Sequence, residues 1–382
     1  MGGVVLPIKR AALDRDWMVV RTVLPDGWRE AARSCRAIRW NKGPLAEPET
    51  LLRVLLGLAA SSGSLRGTAM RAKNTRLVSV SHVAILKRLK RSVLWLEWIV
   101  RAMLLEFLEP DCESSLRLRL YDGTSLSKPA STGTDFRLHL KVSASGPRIV
   151  GAELTDASGG ESLTRFAVQP GDVTVADRCY GTAGEIAHVA RGAGYAVARI
   201  NASSLPLFGE GGMRLDPLRL ARKLSPGAYL EVPTEVRPKQ GPAIRGRLCL
   251  YALTKGDAAK SQRRVRRAKY GKQKRTGKRA IESAKYVFVF TLLPRTMATT
   301  RQVFFIYRLR WQVELAIKTL KSVCGLDEVP HRDAVPGRAC VLAKLICALI
   351  AQRLASHGRA PPPLGRRRGP PRRSVPHQRS RR

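Results

Sequence analysis

Between residues 115 and 201 the apolar period changes from helical to strand-like, and that switch constrains the fold more than any other feature of the chain. Leu116, Leu118 and Leu120 alternate with Arg117, Arg119 and Tyr121, a two-residue period that predicts a strand with one apolar face. Asp122-Gly-Thr is expected to break this run. Residues 136–142 and 148–155 read as the next two strands, joined through a Ser-Gly-Pro turn. Val173-Thr-Val-Ala-Asp177 has the continuous apolar character of a short buried strand and stops on an acid. Residues 182–191 read as a helix closed by Gly192 or Gly194, and residues 195–201 as a fifth strand. Three strands followed by strand–helix–strand predict an α/β fold, a mixed five-stranded sheet with flanking helices.

Five regions follow from this. Residues 1–110 are expected to be helical, with apolar spacing such as that around Leu51, Leu52, Leu55 and Leu56. Within them, 65–73 and 81–89 form two short helical candidates around Asn74-Thr-Arg, with Ser81 as N-cap. Val83, Ile85, Leu86 and Leu89 would face inward, and Arg76, Lys87, Arg88, Lys90 and Arg91 outward. The pair reads either as a helix-turn-helix for DNA or as an ordinary hairpin with a solvated basic surface. Residues 111–201 carry the first part of the sheet. Residues 202–298 read as a β-rich insertion, with strand candidates at 229–236, 247–253 and 286–293 and a basic run over 263–279. In residues 299–355 a long helix is expected over 300–324, stopped by Gly325, and an apolar helix over 339–354. Residues 356–382, rich in Pro and Arg, are expected to be disordered.

Charge narrows the partner. Of 382 residues, 69 are Lys or Arg and 29 are Asp or Glu, a formal net charge of +40. A chain this basic repels itself unless it meets a polyanion, and nucleic acid is the expected one. The run 263–279 is read as a DNA contact over the alternative of a solvated loop. The seven cysteines stand singly, with no C-x-x-C pair, which argues against a zinc site or disulfide framework and fits a reducing cytoplasm. No signal peptide is expected, and no membrane span, the stretch 341–350 being short and interrupted by Lys344. The six histidines show no ligand spacing.

Asp122 and Asp177 each fall at the expected C-terminal end of a strand, where open sheets present functional groups. Two such carboxylates can hold Mg²⁺ between them, although acids after strands are also common as turn and cap residues. A second cluster lies on the predicted helix 300–324. Tyr307, Arg310, Glu314 and Lys321 follow one another at steps of three, four and seven, which puts them on one helical face. Leu309, Val313, Ile317, Leu320 and Cys324 form the neighbouring apolar stripe. An acid that completes a metal site, beside cations that hold phosphates, suits phosphodiester chemistry. The plain alternative is an amphipathic helix with a Glu314 ion pair to Arg310 or Lys318.

The pattern Tyr-x2-Arg-x3-Glu-x6-Lys resembles the signature of the insertion-sequence-4 family of DDE transposases. Leu120-Tyr-Asp122-Gly-Thr and Val175-Ala-Asp177-Arg-Cys-Tyr-Gly resemble the family's blocks bearing the first two catalytic acids, and Gly133-Thr-Asp135-Phe-Arg-Leu-His139 the segment between them. Cys179 departs from the glycine usual at its place, and the Pro/Arg tail from the family's helical C-terminus. The resemblance implies an RNase H-like core in which Asp122, Asp177 and Glu314 bind two Mg²⁺ or Mn²⁺ ions. It also implies cleavage at transposon terminal inverted repeats and strand transfer into target DNA. Tyr307, Arg310, Lys321 and Arg178 would grip the DNA backbone, and Trp311 would stack on an unpaired base. A synaptic homodimer and a nucleoid-associated, cytoplasmic bacterial protein complete the expectation. The departing tail leaves a second reading open, a defective relic that only binds DNA.

Overall fold

The computed structural model describes residues 10–40, 42–61, 64–105, 116–146, 148–201, 205–270 and 277–357. The expected disordered tail, apart from its first two residues, and the centre of the basic run lie outside these. The helical N-terminal region consists of α1 (Arg10–Arg21), α2 (Trp28–Ser34), α3 (Pro48–Ala60), α4 (Leu65–Asn74), α5 (His82–Arg91) and α6 (Val93–Leu105). α3 and α6 are so apolar that they must be covered, with Leu51, Leu52, Leu55, Leu58, Trp95, Leu96 and Ile99 fully or almost fully buried. Ser81 caps α5 by accepting the Ala84 N–H at 3.2 Å. Two face assignments on that helix fail: Val83, expected inward, is exposed, and Arg88, expected outward, turns inward to donate to the Ala37 carbonyl at 3.2 Å.

The sheet begins with β1 (Arg117–Leu126), β2 (Phe136–Ser143) and β3 (Arg148–Asp156), paired antiparallel. β4 (Asp172–Ala176) lies parallel to β1. Thr182 then caps α7 (Ala183–Arg191), and β5 (Tyr195–Arg199) pairs parallel with β4. The expected five strands are these, but the sheet does not stop at five. β6 (Leu207–Phe208), β7 (Arg214–Leu215), α8 (Pro217–Ala221), β8 (Tyr229–Val236), β9 (Ile244–Ala252), α9 (Lys255–Tyr270), α10 (Lys278–Ser283) and β10 (Tyr286–Thr291) follow. The result is one ten-stranded sheet in the order β3-β2-β1-β4-β5-β10-β9-β8-β6-β7. The insertion extends the sheet because β5 has an unpaired edge, and β10 covers it through antiparallel hydrogen bonds.

β1 is not the one-faced strand that its alternation suggests. Arg117 and Arg119 are buried with Lys141 around Asp172, whose carboxylate accepts from them at 3.0, 3.3 and 3.3 Å and from the Gln169 N–H at 3.2 Å. Both faces of the strand are covered, so the polar positions survive by sharing one buried acid. β1 also continues through Asp122-Gly-Thr to Leu126, because β2 pairs with it along that whole length.

The expected helix 300–324 is two helices, α11 (Thr300–Arg308) and α12 (Trp311–Cys324). At the join the amides of Leu309, Arg310, Gln312 and Val313 bond three residues back instead of four, which tightens the turn without leaving right-handed backbone. Gly325 ends α12 with φ +56°, as its composition predicts. α13 (Ala334–His357) packs against α3, α5, α6 and α12. Unlike the short segment expected, α13 is long and apolar enough to cross a membrane, but two thirds of its apolar stretch is buried among other helices. Its Lys344 donates to the Gly325 and Glu328 carbonyls at 2.5 and 2.7 Å, and its Arg353 to the Val23 and Met103 carbonyls at 2.7 and 2.6 Å. α13 thereby ties the helical region to the end of α12.

Candidate active site

Asp122 and Asp177 reach the same edge from neighbouring strands. The β1–β4 register runs Leu120↔Val175, and each acid lies two positions further on. There β4 has ended, and Asp177 leads into a short 3₁₀ turn, Arg178–Tyr180. Asp122 is still on β1, its carboxylate accepting its neighbour Gly123's N–H at 2.8 Å. Burial pushes the Asp122 carboxyl above the usual range. The Gly123 N–H and Arg310 oppose that rise, and the negative charges of Glu161 and Glu314 add to it.

The join between α11 and α12 closes over these acids. Tyr307, near the end of α11, donates its hydroxyl hydrogen to Asp177 at 3.3 Å. Burial raises the Tyr307 phenol and keeps it protonated, so it serves as a donor. Arg310, in the join, places one nitrogen 3.5 Å from Asp122 Oδ2 and another 2.5 Å from Glu314 Oε1. The guanidinium is largely buried while Glu314, in the first turn of α12, is half exposed. Tyr307, Arg310 and Glu314 therefore meet the strand acids across a helix junction, not along one straight helix. Lys321 is partly buried further along α12, and Trp311 is exposed beside Arg310. Gly133 and Asp135 belong to the β1–β2 connection, where Asp135 accepts the Lys128 N–H at 2.8 Å. His139 is buried on β2 against Thr155 at 3.1 Å.

Two residues at this edge escape a reading of the sequence. Arg199 ends β5, hydrogen-bonds Tyr307, and lines a cleft with Arg178, two like charges in one recess. α9 forms another wall of that cleft through Ser261 and Val265, and its Arg263, Arg264, Arg266 and Arg267 are exposed. The basic run is thus helical as far as residue 270. Arg199 could have been singled out as the last residue of a strand parallel to β4. Glu161 lies in the connection after β3, close enough to β1 that a Cβ on Gly123 would stand 3.1 Å from its Oε1. Only Gly159 and Gly160 before it hint at a close approach.

The transposase DDE domain family matches residues 113–350, which takes in all three acids and both helices of the junction. The chain belongs to that family. It is similar, at 30% identity over 332 residues, to the putative transposase InsL of insertion sequence element IS186A from Escherichia coli K12. It is 30% identical over 335 residues to the transposase of insertion sequence element IS421 from Escherichia coli, and both alignments cover 85% of this chain and 90% of the relative. A piggyBac transposase synaptic complex with hairpin DNA aligns over 89% of this chain and 74% of that one, at 9% identity and a TM-score of 0.40, too slight a likeness to add to the assignment.

With the family come DNA as the partner, cleavage and strand transfer as the reaction, and a dependence on divalent metal. The donor chemistry fits such an ion: Asp122, Asp177 and Glu314 offer only hard oxygen ligands. Among the described residues no three His, Cys, Asp or Glu side chains are gathered tightly enough to form a ready-made metal cluster. Arg310 lies between two of these acids, 3.5 Å from Asp122 and 2.5 Å from Glu314.

Proposed function

We propose that this transposase is of the insertion-sequence-4 type and that Asp122, Asp177 and Glu314 are its catalytic acids, holding two Mg²⁺ or Mn²⁺ ions. The observation that carries the reading is the convergence of two carboxylates from neighbouring parallel strands, Asp122 on β1 and Asp177 just past β4, with a junction bearing Tyr307, Arg310 and Glu314. The strand order β3-β2-β1-β4-β5, with β1 parallel to β4, supports an RNase H-like core. Bound between the acids, divalent ions would activate the attacking oxygen and offset charge on the departing one. Arg310 moves from the two carboxylates to a DNA phosphate, keeping its charge neutralised throughout. Tyr307 holds Asp177 in place through its hydroxyl, and Arg178, Arg199 and Lys321 bind backbone phosphates on either side of the reacting one. Exposed Trp311 offers a face on which a base can stack.

In the same reading, residues 1–110 and the α9 arginines bind terminal inverted repeats and target DNA, and two copies assemble in the synaptic complex at the bacterial nucleoid. The domain limits at 111–201, 202–298 and 299–355 separate the two parts of the core from the insertion between them. The test is cleavage and strand transfer on the element's own terminal repeats with Mg²⁺. Wild type should nick the ends, and Asp122→Asn and Glu314→Gln should bind them without nicking. A wild-type protein that binds ends and never nicks them would remove the catalytic reading.

A further inference from the structure

Glu161 is a carboxylate without an evident structural partner, placed against the active edge. Among the described residues no Lys or Arg forms an ion pair with it, and its side-chain hydrogen-bond partner is the Cys179 thiol, a weak donor. Its Oε1 lies over Gly123, where even a methyl group would crowd it at 3.1 Å. It thus packs on the backbone between Asp122 and the turn that follows Asp177.

The segment carrying Glu161 is braced on both sides. Asp156 accepts the N–H groups of Ser158 and Gly159 at 3.0 and 3.2 Å. Arg165 donates to the Gly160 carbonyl at 2.9 and 2.8 Å. Glu185, in the first turn of α7, accepts the Ser162 hydroxyl and the Leu163 N–H, both at 2.7 Å. A segment fixed this firmly holds its side chain in place before any ligand arrives. A half-buried acid held against another acid is unfavourable unless a cation sits between them. Arg310 does not serve here, being engaged by Asp122 and Glu314.

We infer that Glu161 is a fourth carboxylate of the catalytic centre, accepting hydrogen bonds from water bound to the divalent metal on the Asp122–Asp177 side. This rests on the reading of Asp122 as a metal ligand, and the test separates the two. Mn²⁺ binding to the full-length, DNA-free protein is measured by electron paramagnetic resonance for wild type, Glu161→Gln, Glu161→Asp and Asp122→Asn, with thermal melting recorded for each. Glu161→Gln keeps the shape and an acceptor for Cys179, and is expected to weaken Mn²⁺ binding roughly 10- to 100-fold. Glu161→Asp, which keeps the charge on a shorter arm, should recover part of that loss. If Asp122→Asn abolishes binding while both Glu161 variants bind as wild type does, the inference fails and the triad stands. Wild-type binding by Asp122→Asn as well would overturn both. Should Glu161→Gln melt early, Glu161→Asp decides: unchanged affinity in that folded variant counts against the proposal.

Discussion

Arg310 lies 2.5 Å from Glu314, across the turn where α11 passes into α12, and its other nitrogen reaches towards Asp122. The pair follows the four-residue spacing of an ordinary helical ion pair, yet it is tied to a third charge from the sheet. An exposed pair of this kind would contribute only a few tenths of a kcal/mol. In the proposed catalytic centre its importance is that an internal cation would compete with a metal ion for the same oxygens.

Removing that competitor should have opposite effects on two measurements. Arg310→Ala is expected to tighten Mn²⁺ binding by the DNA-free protein, because two carboxylates lose their neutralising partner. The same change should lower end cleavage about 100-fold, the scale of losing one positioned donor at a reacting phosphate. Calorimetric titration and a cleavage time course read the two effects. Unchanged Mn²⁺ affinity would show that the guanidinium does not occupy the metal's place.

Tyr307→Phe removes one hydroxyl and little else. The lost hydrogen bond to Asp177 should change folding stability by about 1 kcal/mol. Cleavage is expected to fall about tenfold while binding of the DNA ends stays within a factor of two or so, consistent with an effect on positioning. Loss of end binding equal to the loss of cleavage would assign Tyr307 to DNA affinity instead.

Asp172 is a fully buried acid shared by Arg117, Arg119 and Lys141. Burial alone would raise its pKa, but Lys141, the Gln169 N–H, Arg117 and Arg119 outweigh burial and hold it below the usual carboxylate range. A depressed carboxyl contributes stability above its unfolded value of 3.8 and loses it as pH falls through the lower native value. Asp172→Ala leaves three buried cations without their shared anion and should cost about 3–5 kcal/mol at neutral pH. Urea unfolding of the variant checks this, and a loss under 1 kcal/mol would mean that water reaches the cluster.

His139 shifts stability in the same direction with pH, but at higher values and through a base held neutral. Burial, helped by Arg165 and Arg137, pushes its pKa from 6.5 down to about 4. The unfolded chain therefore binds the proton more readily, and stability should decline as pH falls from about 6.5 to about 4, by up to a few kcal/mol. His139→Gln should flatten that part of the stability profile. A variant with the wild-type slope between those values would place the titration elsewhere.

Local chemistry was enough to make the elements of the core legible. Ser81 and Thr182 cap helices where their side chains can reach a free N–H, Gly325 stops α12 because it accepts a positive φ, and the strands over 136–156 and 229–236 follow their apolar runs. The acids and the Tyr307–Lys321 pattern were legible for the same reason, since residue type and spacing can be read without contacts. The buried arginines of β1 were not, because alternation assumes that polar side chains face water. Arg117 and Arg119 break that assumption by sharing Asp172, an acid 55 and 53 positions away.

The switch to strand period after residue 115, followed by strand–helix–strand, determined which segments form β1 to β5 and that they make a mixed sheet, because apolar period and turn residues act over a few positions. The sequence by itself likewise determined which side chains could do phosphodiester chemistry. Tertiary structure alone decided that the insertion's strands would join β5 in one sheet, since an open edge takes whichever strand the fold brings to it. It alone decided that the helix would break at Arg310, and that Glu161 would arrive beside Asp122. Those relationships depend on groups far apart in the chain competing for the same space and the same charge.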